Sequence, residues 1–409
     1  MRRALKFAPW LMIGVLVAIP AFSQSDGSIH VPIAWFEEPE HHADHWKVEI
    51  QPPFLTYSQR FTVRIIAQFQ VDKGPPTSRT DLHLVARVSD ANGKWYPSYD
   101  HSHIEIPAQP KKKQLLAWST DVFVRPGSYR VALLAYDLKS NQHYLWRKAV
   151  TVEKPELLPD LDQNFPAVEF FEPERVHAPI GEELPIHNRH PLRVDVVMNL
   201  TGDTQMSVSP RWYRWVRQWA VQSALMGSVS ALSQLRPDNG CVRLSAIDIV
   251  HTEVARDRAV ADPKDDWQKV RETIRKNGDT RTVDVRTLEG RKKAREFFRH
   301  FLEQVISDKT GCGEGMEDVD RAVVVVSDSL EFPSGSESEP VASPPESGTR
   351  FYHVKISSRY IPTYDQVGHM LGSLHPRQFN VNDPNDLRNA LAKLIKDLEK
   401  SATATAEVH

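Results

Sequence analysis

From Leu192 onward, short apolar runs alternate with stretches in which apolar side chains recur every three or four positions. The run from Ala322 to Val326 is continuous and almost entirely valine, which is typical of a central strand covered on both faces. Strands that alternate with helices form right-handed crossovers and a mostly parallel sheet wrapped by helices. The pattern therefore predicts an α/β domain over residues 192–400.

Boundary signals support this alternation. Ser209 and Pro210 supply an N-cap and a proline at the first helical position, and a helix carrying a tryptophan stripe is predicted to follow. Asp383 and Pro384 open the last helix in the same way. We expect the tryptophan stripe to pack on the sheet. The predicted strands cover 192–198, 242–250, 281–285, 322–326, 351–356 and 378–381.

The segment from Trp46 to Glu153 has a different hydrophobic period, because its apolar residues alternate with polar ones at every second position. About seven short strands fit these residues, as in a β-sandwich. The sequence Pro126-Gly-Ser-Tyr129 resembles the entry to a late strand of immunoglobulin-like sandwiches. That resemblance implies an all-β domain in which Trp118 and Tyr129 are core residues.

The first residues have the pattern of a secretory signal. Residues 1–6 are basic, residues 8–22 are apolar, and Ala21 and Ser23 place small side chains before a cleavage point. The apolar run is shorter than the roughly 20 residues that a spanning helix needs. We therefore predict an exported protein, periplasmic or extracellular, with no transmembrane segment in the mature chain.

Export affects how the two cysteines are interpreted. Cys241 and Cys312 each precede a predicted strand, so parallel strands would bring both to one edge of the sheet. In an oxidising compartment they can pair, which requires α-carbons within roughly 7 Å. The sequence leaves two alternatives open, a disulfide and two separate buried thiols.

The chain therefore divides into six predicted parts. The leader mixes histidines with acidic residues, which could ligate a transition metal, but we interpret it as a solvated, flexible terminus. The parts are a signal peptide (1–23), an irregular leader (24–45), the β-sandwich (46–153), a proline-rich linker (154–191), the α/β domain (192–400) and a disordered tail (401–409).

The order of elements after Leu192 resembles the von Willebrand factor A domain, especially the versions found in exported bacterial proteins. The resemblance rests on a first strand that ends at residues 199–203, a long helix after it, and an apolar strand that ends in Ser327-Asp328. It implies a multidomain chain in which an immunoglobulin-like sandwich precedes a Rossmann-like α/β domain of the A type.

The family implies a metal site at the strand ends, built from Asp-x-Ser-x-Ser, a later threonine and a later aspartate. On this chain the motif falls on Asn199, Thr201 and Asp203, and Asp328 matches the later aspartate. Asn199 replaces an aspartate and Asp203 replaces a serine, while the threonine has only Thr280 and Thr282 as candidates. We therefore expect metal-free contacts at this site, with Mg²⁺ or another divalent cation as the alternative.

Charge and missing motifs restrict the function. The formal net charge of −2 argues against a nucleic-acid binder with a basic surface, and two cysteines are too few for a four-cysteine zinc module. The chain has no Gly-rich phosphate loop, no Gly-x-Ser-x-Gly elbow and no His-Glu-x-x-His helix. We expect a non-catalytic protein that binds a protein partner, without a cofactor. The alternatives are a secreted hydrolase with dispersed catalytic residues and an assembly scaffold in a cell-envelope complex.

Overall fold

The computed structural model shows a β-rich protein that divides into two compact units. Unit 1 comprises Met1–Phe54, Phe61–Lys154 and Ala167–Phe171, and unit 2 comprises the remainder. The signal peptide, the tail, Asp203, Thr280 and Thr282 lie outside the described residues. The structure describes residues 32–42, 46–71, 80–106, 114–137, 140, 142–154, 166–170, 184–201, 224–261, 269–270, 272–273, 288–310, 312, 319–328, 340–342, 348–356 and 365–400.

Two antiparallel sheets make up unit 1. One has the order β1-β3-β6-β9 and the other the order β5-β4-β7-β8, and their inner faces share one apolar core. Trp118 and Tyr129 are buried in this core, as the sequence predicts. The strands are β1 (Trp46–Ile50), β2 (Phe54–Leu55), β3 (Phe61–Val71), β4 (Thr80–Asp90), β5 (Trp95–Ile106), β6 (Gln114–Val124), β7 (Gly127–Asp137), β8 (Gln142–Val152) and β9 (Val168–Phe170).

Most residues in the described part of the leader are exposed, as predicted, but this part is not irregular throughout. Ile33–Glu37 forms a 3-10 helix, and Phe36 is fully buried against Val85, Leu134 and other residues on the outer face of the second sheet. The guanidinium of Arg87 lies 5.2 Å from the centre of the Phe36 ring. Aromatic side chains in the leader thus cover apolar surface that the sheet would otherwise expose to water.

Unit 2 is built on a six-stranded sheet of order β14-β13-β11-β15-β16-β17. All neighbouring pairs are parallel except β13 and β14, which are antiparallel. The parallel central strands were predicted, but β14 was missed, because its mixed polar sequence lacks a clean alternation. The strands are β10 (Leu184–Ile186), β11 (Leu192–Asn199), β12 (Leu235–Pro237), β13 (Gly240–Asp248), β14 (Glu253–Val260), β15 (Asp320–Asp328), β16 (Thr349–Ile356) and β17 (Arg377–Val381).

Helices cover both faces of this sheet. Residues 224–232 and the Pro384–Leu398 helix pack on one face, and the Leu288–Ser307 and Gln366–Leu371 helices pack on the other. Asp383 caps the last helix by accepting the backbone N–H groups of Asn385 and Asp386, as predicted. None of the helices within the described ranges is long and apolar enough to cross a membrane.

The predicted linker also contributes strands. Val168 and Phe170 of β9 are buried beside β6 in unit 1, while β10 pairs with β12 in unit 2. The prediction took the proline density of residues 154–191 as a sign of a spacer. Short strands persist there because one or two apolar side chains can still be buried between prolines.

A buried ion cluster joins the middle of the sheet in unit 2 to the end of a helix. Asp195 on β11 lies 3.0 Å from Arg193, 2.7 Å from Arg243 and 3.3 Å from Arg321. Arg321 also donates to the carbonyls of Val305 and Ile306 in the last turn of the Leu288–Ser307 helix. These arginines satisfy terminal carbonyls of the helix and place positive charge at its negative end.

A disulfide joins Cys241 to Cys312 in the same region. Their α-carbons are 5.6 Å apart, and Cys241 pairs with Arg193 of the ion cluster across the sheet. Of the two alternatives that the sequence left open, the structure has the disulfide. It ties the segment after the long helix to strand β13.

Candidate functional site

Polar residues end three neighbouring parallel strands of unit 2. Asn199 ends β11, Asp248 ends β13 and Asp328 ends β15, and all three are buried. The carboxyl ends of parallel strands meet at one edge of a sheet, where open α/β folds bind their ligands. We call this edge, with Thr201 and His251 beside it, the strand-end site.

Two of the predicted ligands, Asn199 and Thr201, form a local turn. The Asn199 side-chain oxygen accepts the backbone N–H of Thr201 at 3.0 Å. The Asn199 side-chain nitrogen is buried and has no hydrogen-bond partner among the described residues. The Asn199 amide therefore shapes the loop after β11 and does not offer a charge.

Asp248, which the sequence analysis missed, organises the strand-end site. The Thr201 hydroxyl donates to one Asp248 carboxylate oxygen at 3.0 Å, and that oxygen also accepts the backbone N–H groups of Val250 and His251, each at 3.0 Å. The other Asp248 oxygen lies 2.6 Å from Nδ1 of His251. The carboxylate is thus held by four donors from this chain.

This network shifts the pKa of both ionisable partners. Burial acts to raise the pKa of Asp248, but the hydrogen bonds from His251 and Thr201 outweigh it, so its pKa lies below the usual value. The hydrogen bond to Asp248 raises the pKa of His251 against the opposing effect of burial. The pair therefore favours a carboxylate beside an imidazolium.

The Thr201 hydroxyl already has hydrogen-bond partners within the protein. Its oxygen also accepts the backbone N–H of Ile249 at 2.9 Å and that of Val250 at 3.3 Å. A hydroxyl has one proton and two lone pairs, and all three are used within the protein. Cation binding through Thr201 would have to break these bonds.

Thr201→Val is expected to lower the free energy of unfolding of unit 2 by about 1–3 kcal/mol, because the substitution leaves buried polar groups without their partner. Urea unfolding followed by amide hydrogen exchange in β11 and β13 measures the change. Thr349→Val, at a half-buried position that begins β16, is the matched control. Equal effects of the two substitutions would contradict the structural importance of the Thr201 network.

Among the other predicted site residues, Asp328 is placed at the end of β15, buried and next to the strand that carries Asn199. Asp203, Thr280 and Thr282 lie outside the described residues. Asp248 lies inside the predicted strand 242–250, two residues before its predicted end, and no local sequence signal marks it as a site residue. Only the strand order shows that it faces Thr201.

A serine and a histidine also meet next to this edge. Ser327 Oγ on β15 lies 3.0 Å from Nε2 of His353 on β16, and neither side chain is exposed. Nδ1 of His353 has no hydrogen-bond partner within the described part of the chain. Nucleophilic catalysis needs a base oriented by a third group and a serine that substrate can reach, so this pair fits a buried structural contact better.

Acid is expected to destabilise unit 2 through His353. Burial lowers the pKa of His353 to about 4, an effect that Asp365 opposes and Lys355 reinforces. The unfolded chain then binds the extra proton first, so the free energy of unfolding falls as the pH decreases from roughly 6.5 to 4, by at most about 1.4 kcal/mol per pH unit. His251 acts in the opposite direction and in a higher pH range, because its raised folded-state pKa gives stability that is present below roughly pH 6.5 and is lost as the pH rises above it.

His353→Gln checks this expectation, because glutamine does not titrate. Urea unfolding of both proteins at pH 7.5, 6.0 and 5.0 should show a smaller loss of stability on acidification for the variant. Parallel losses in the two proteins would mean that other groups are responsible for the acid sensitivity.

Comparisons with known proteins are weak throughout. No family model and no curated protein matches the chain. The C-terminal domain of wzt is 10% identical with a TM-score of 0.18, and the match covers 30% of this chain and 86% of that one. A family 2 glycosyl hydrolase from Bacteroides cellulosilyticus DSM 14838 is 11% identical, with 70% and 36% covered and a TM-score of 0.20.

A family 123 glycoside hydrolase from Clostridium perfringens is 7% identical, with 78% of this chain and 74% of that chain covered and a TM-score of 0.23. At such scores the likeness assigns neither a fold family nor an activity to this chain. Function has to be argued from the residues of the two units.

Proposed function

We propose that the chain is an exported, non-catalytic interaction protein whose C-terminal half is a von Willebrand factor A-like domain that docks a protein partner. Two features of unit 2 support the assignment to the A-domain family. They are the sheet of five parallel strands with one antiparallel edge strand, and the helices on both faces of that sheet. The Cys241–Cys312 disulfide supports export, because such bonds persist in oxidising compartments.

The closed network of Thr201, Asp248 and His251 is the observation that carries the proposal. The Asp248 carboxylate and the Thr201 hydroxyl have their hydrogen-bond partners within the chain, which favours a strand-end site that is formed before a partner binds. A pre-formed surface loses less conformational entropy on binding than a mobile one. The site therefore supports protein docking that needs no metal ion.

The hairpin turn between β13 and β14 offers a place to test docking. Thr252 is exposed in this turn, directly after the network. Thr252→Arg adds a large cation at the strand-end site, whereas His187→Arg changes an exposed residue near the opposite end of β11 and β13. A partner captured from envelope fractions and then purified should bind wild type and His187→Arg alike, and Thr252→Arg at least tenfold more weakly. Equal binding to all three would refute docking at this edge.

Isothermal titration with Mg²⁺ and Mn²⁺ tests the metal-free part of the proposal. We expect that Asp328 does not contribute to the heat of metal binding. Wild type and Asp328→Asn should therefore give the same titration curve. Saturable binding that Asp328→Asn abolishes would show that the family's cation site is retained.

The hydrolase alternative rests on one observation, the 3.0 Å contact between Ser327 and His353, both of which are buried. Turnover of an ester or peptide substrate by purified protein, lost in Ser327→Ala and retained in Thr201→Val, would establish it. Under the docking proposal, Ser327→Ala leaves partner binding unchanged and no turnover is measured with either protein.

A further inference from the structure

Histidine and carboxylate side chains form a compact array on one sheet of unit 1, independent of the strand-end site. In the antiparallel register of β4 and β5, Asp81 is opposite Glu105 and His83 is opposite His103. His101 lies two residues before His103 on β5. Because alternate residues of a strand share a face, all five side chains project from the same side of the sheet.

Three of these residues have the spacing of a metal-binding set. The ligand atoms of Asp81, His103 and Glu105 all lie within 4.8 Å of one another, and His103 Nε2 is 3.7 Å from Asp81 Oδ1. Donors around a transition-metal ion, each at about 2.1 Å from it, stand about 3–3.5 Å apart. His103 and Glu105 are exposed and Asp81 is half-buried, so small side-chain rotations suffice to reach that geometry.

Neighbouring rings hold the histidine in place. His83 is buried, and its ring stacks on His103 at 4.7 Å and on Tyr136 at 4.9 Å. Its Nδ1 is 3.1 Å from Nε2 of His101. One of these two nitrogens must accept the hydrogen bond, so at least one of the two rings is a neutral imidazole. The stacked ring of His83 thus limits the orientation of His103.

We propose that Asp81, His103 and Glu105 bind a divalent transition-metal ion of the zinc or manganese class. Imidazole together with carboxylates suits these ions, whereas Mg²⁺ and Ca²⁺ prefer ligand sets made only of oxygen. The ion would join β4 to β5 across the register pair Asp81 and Glu105. Three protein ligands leave coordination positions for water or for an oxygen donor from a partner.

Titration of the chelator-treated full chain with ZnCl₂ and MnCl₂ tests the site, with MgCl₂ as the comparison ion. We expect one Zn²⁺ or Mn²⁺ per chain and no saturable Mg²⁺ binding. His103→Ala and Asp81→Asn should each weaken binding at least tenfold. Asp81→Asn keeps the shape of the side chain, so it remains informative if His103→Ala fails to fold.

His300→Ala is the matched control, because His300 is an exposed histidine beside a carboxylate, Glu303, in unit 2. It should bind the ion as wild type does. His42→Ala tests the histidine-rich leader as a competing site. Binding lost in His42→Ala and retained in His103→Ala, or equal Mg²⁺ binding, would overturn the proposal.

Discussion

Asp195→Asn is expected to lower the free energy of unfolding of unit 2 by about 3–5 kcal/mol, because it removes the carboxylate shared by three guanidinium groups, of which Arg243 keeps Asp308 as an ion-pair partner. The Asp195 side chain is 3% exposed and accepts from three guanidinium groups. Asparagine keeps the shape and removes the negative charge, so Arg193 and Arg243 would remain buried with less compensation.

The physical reason is desolvation. Arg193 is 2% exposed, and burial lowers its pKa although Asp195 acts to raise it. Without the carboxylate the three arginines repel one another and the last turn of the Leu288–Ser307 helix loses part of its anchor. The loss of stability in Asp195→Asn should therefore extend to the Leu288–Ser307 helix as well as to the strands.

Urea unfolding with amide hydrogen exchange in β11, β15 and the long helix measures this effect. Asp257→Asn is the control, since Asp257 pairs with Arg258 at the surface, where such ion pairs contribute about 0–1 kcal/mol. If Asp195→Asn costs no more than Asp257→Asn, the cluster does not stabilise unit 2 in the way we infer.

Removing the disulfide is expected to cost a similar amount. Cys241 and Cys312 are separated by 71 positions, and closing a loop of that size stabilises a fold by about 4 kcal/mol in the chain-entropy description. The double variant Cys241→Ala with Cys312→Ala leaves no free thiol, so its unfolding reports the loss of the cross-link together with the packing of the two sulfur atoms. We expect its urea midpoint to fall below that of the oxidised protein.

Reduction of the wild-type protein provides the control. Dithiothreitol should lower the stability of wild type towards that of the double variant and leave the double variant unchanged. A double variant as stable as oxidised wild type would mean that the surrounding contacts, including those of Arg193 and Arg243 to Thr310, already fix the segment.

The two predictions bear on the proposed function because they concern the frame that supports the strand-end site. Asp195 lies on β11, the strand that ends in Asn199, and the disulfide is attached to β13, which ends in Asp248. A partner that binds at the strand ends should therefore bind less tightly when either support is removed, provided the loss of order reaches the turn that follows Asp248.

Features that depend on neighbouring residues could be predicted. The valines from Val323 to Val326 indicated a buried central strand, and Asp383 with Pro384 indicated a helix start. Period-two alternation marked the strands of unit 1, and the turn at Pro126 and Gly127 marked the start of β7. Such signals work because backbone geometry repeats every two residues in a strand and every 3.6 residues in a helix.

Asn199 and Thr201 were predicted as site residues, and the structure places them together at the end of β11. Asn199 shapes a turn and Thr201 completes a network around Asp248, a residue 47 positions away in the sequence. The prediction failed for Asp248 because nothing local distinguishes it from any other aspartate at a strand end.

By itself, the sequence determined most of the main elements, such as the central strands of unit 2, the alternating strands of unit 1 and the capped last helix, but not β14 or the short strands β9 and β10. Only the tertiary structure decided which elements are neighbours, and with that the contact of Thr201 with Asp248, the cluster around Asp195, the cysteine pairing and the histidine array. Local propensity acts between residues a few positions apart, whereas strand order and register come from packing the whole sheet between its helices, which no short segment encodes.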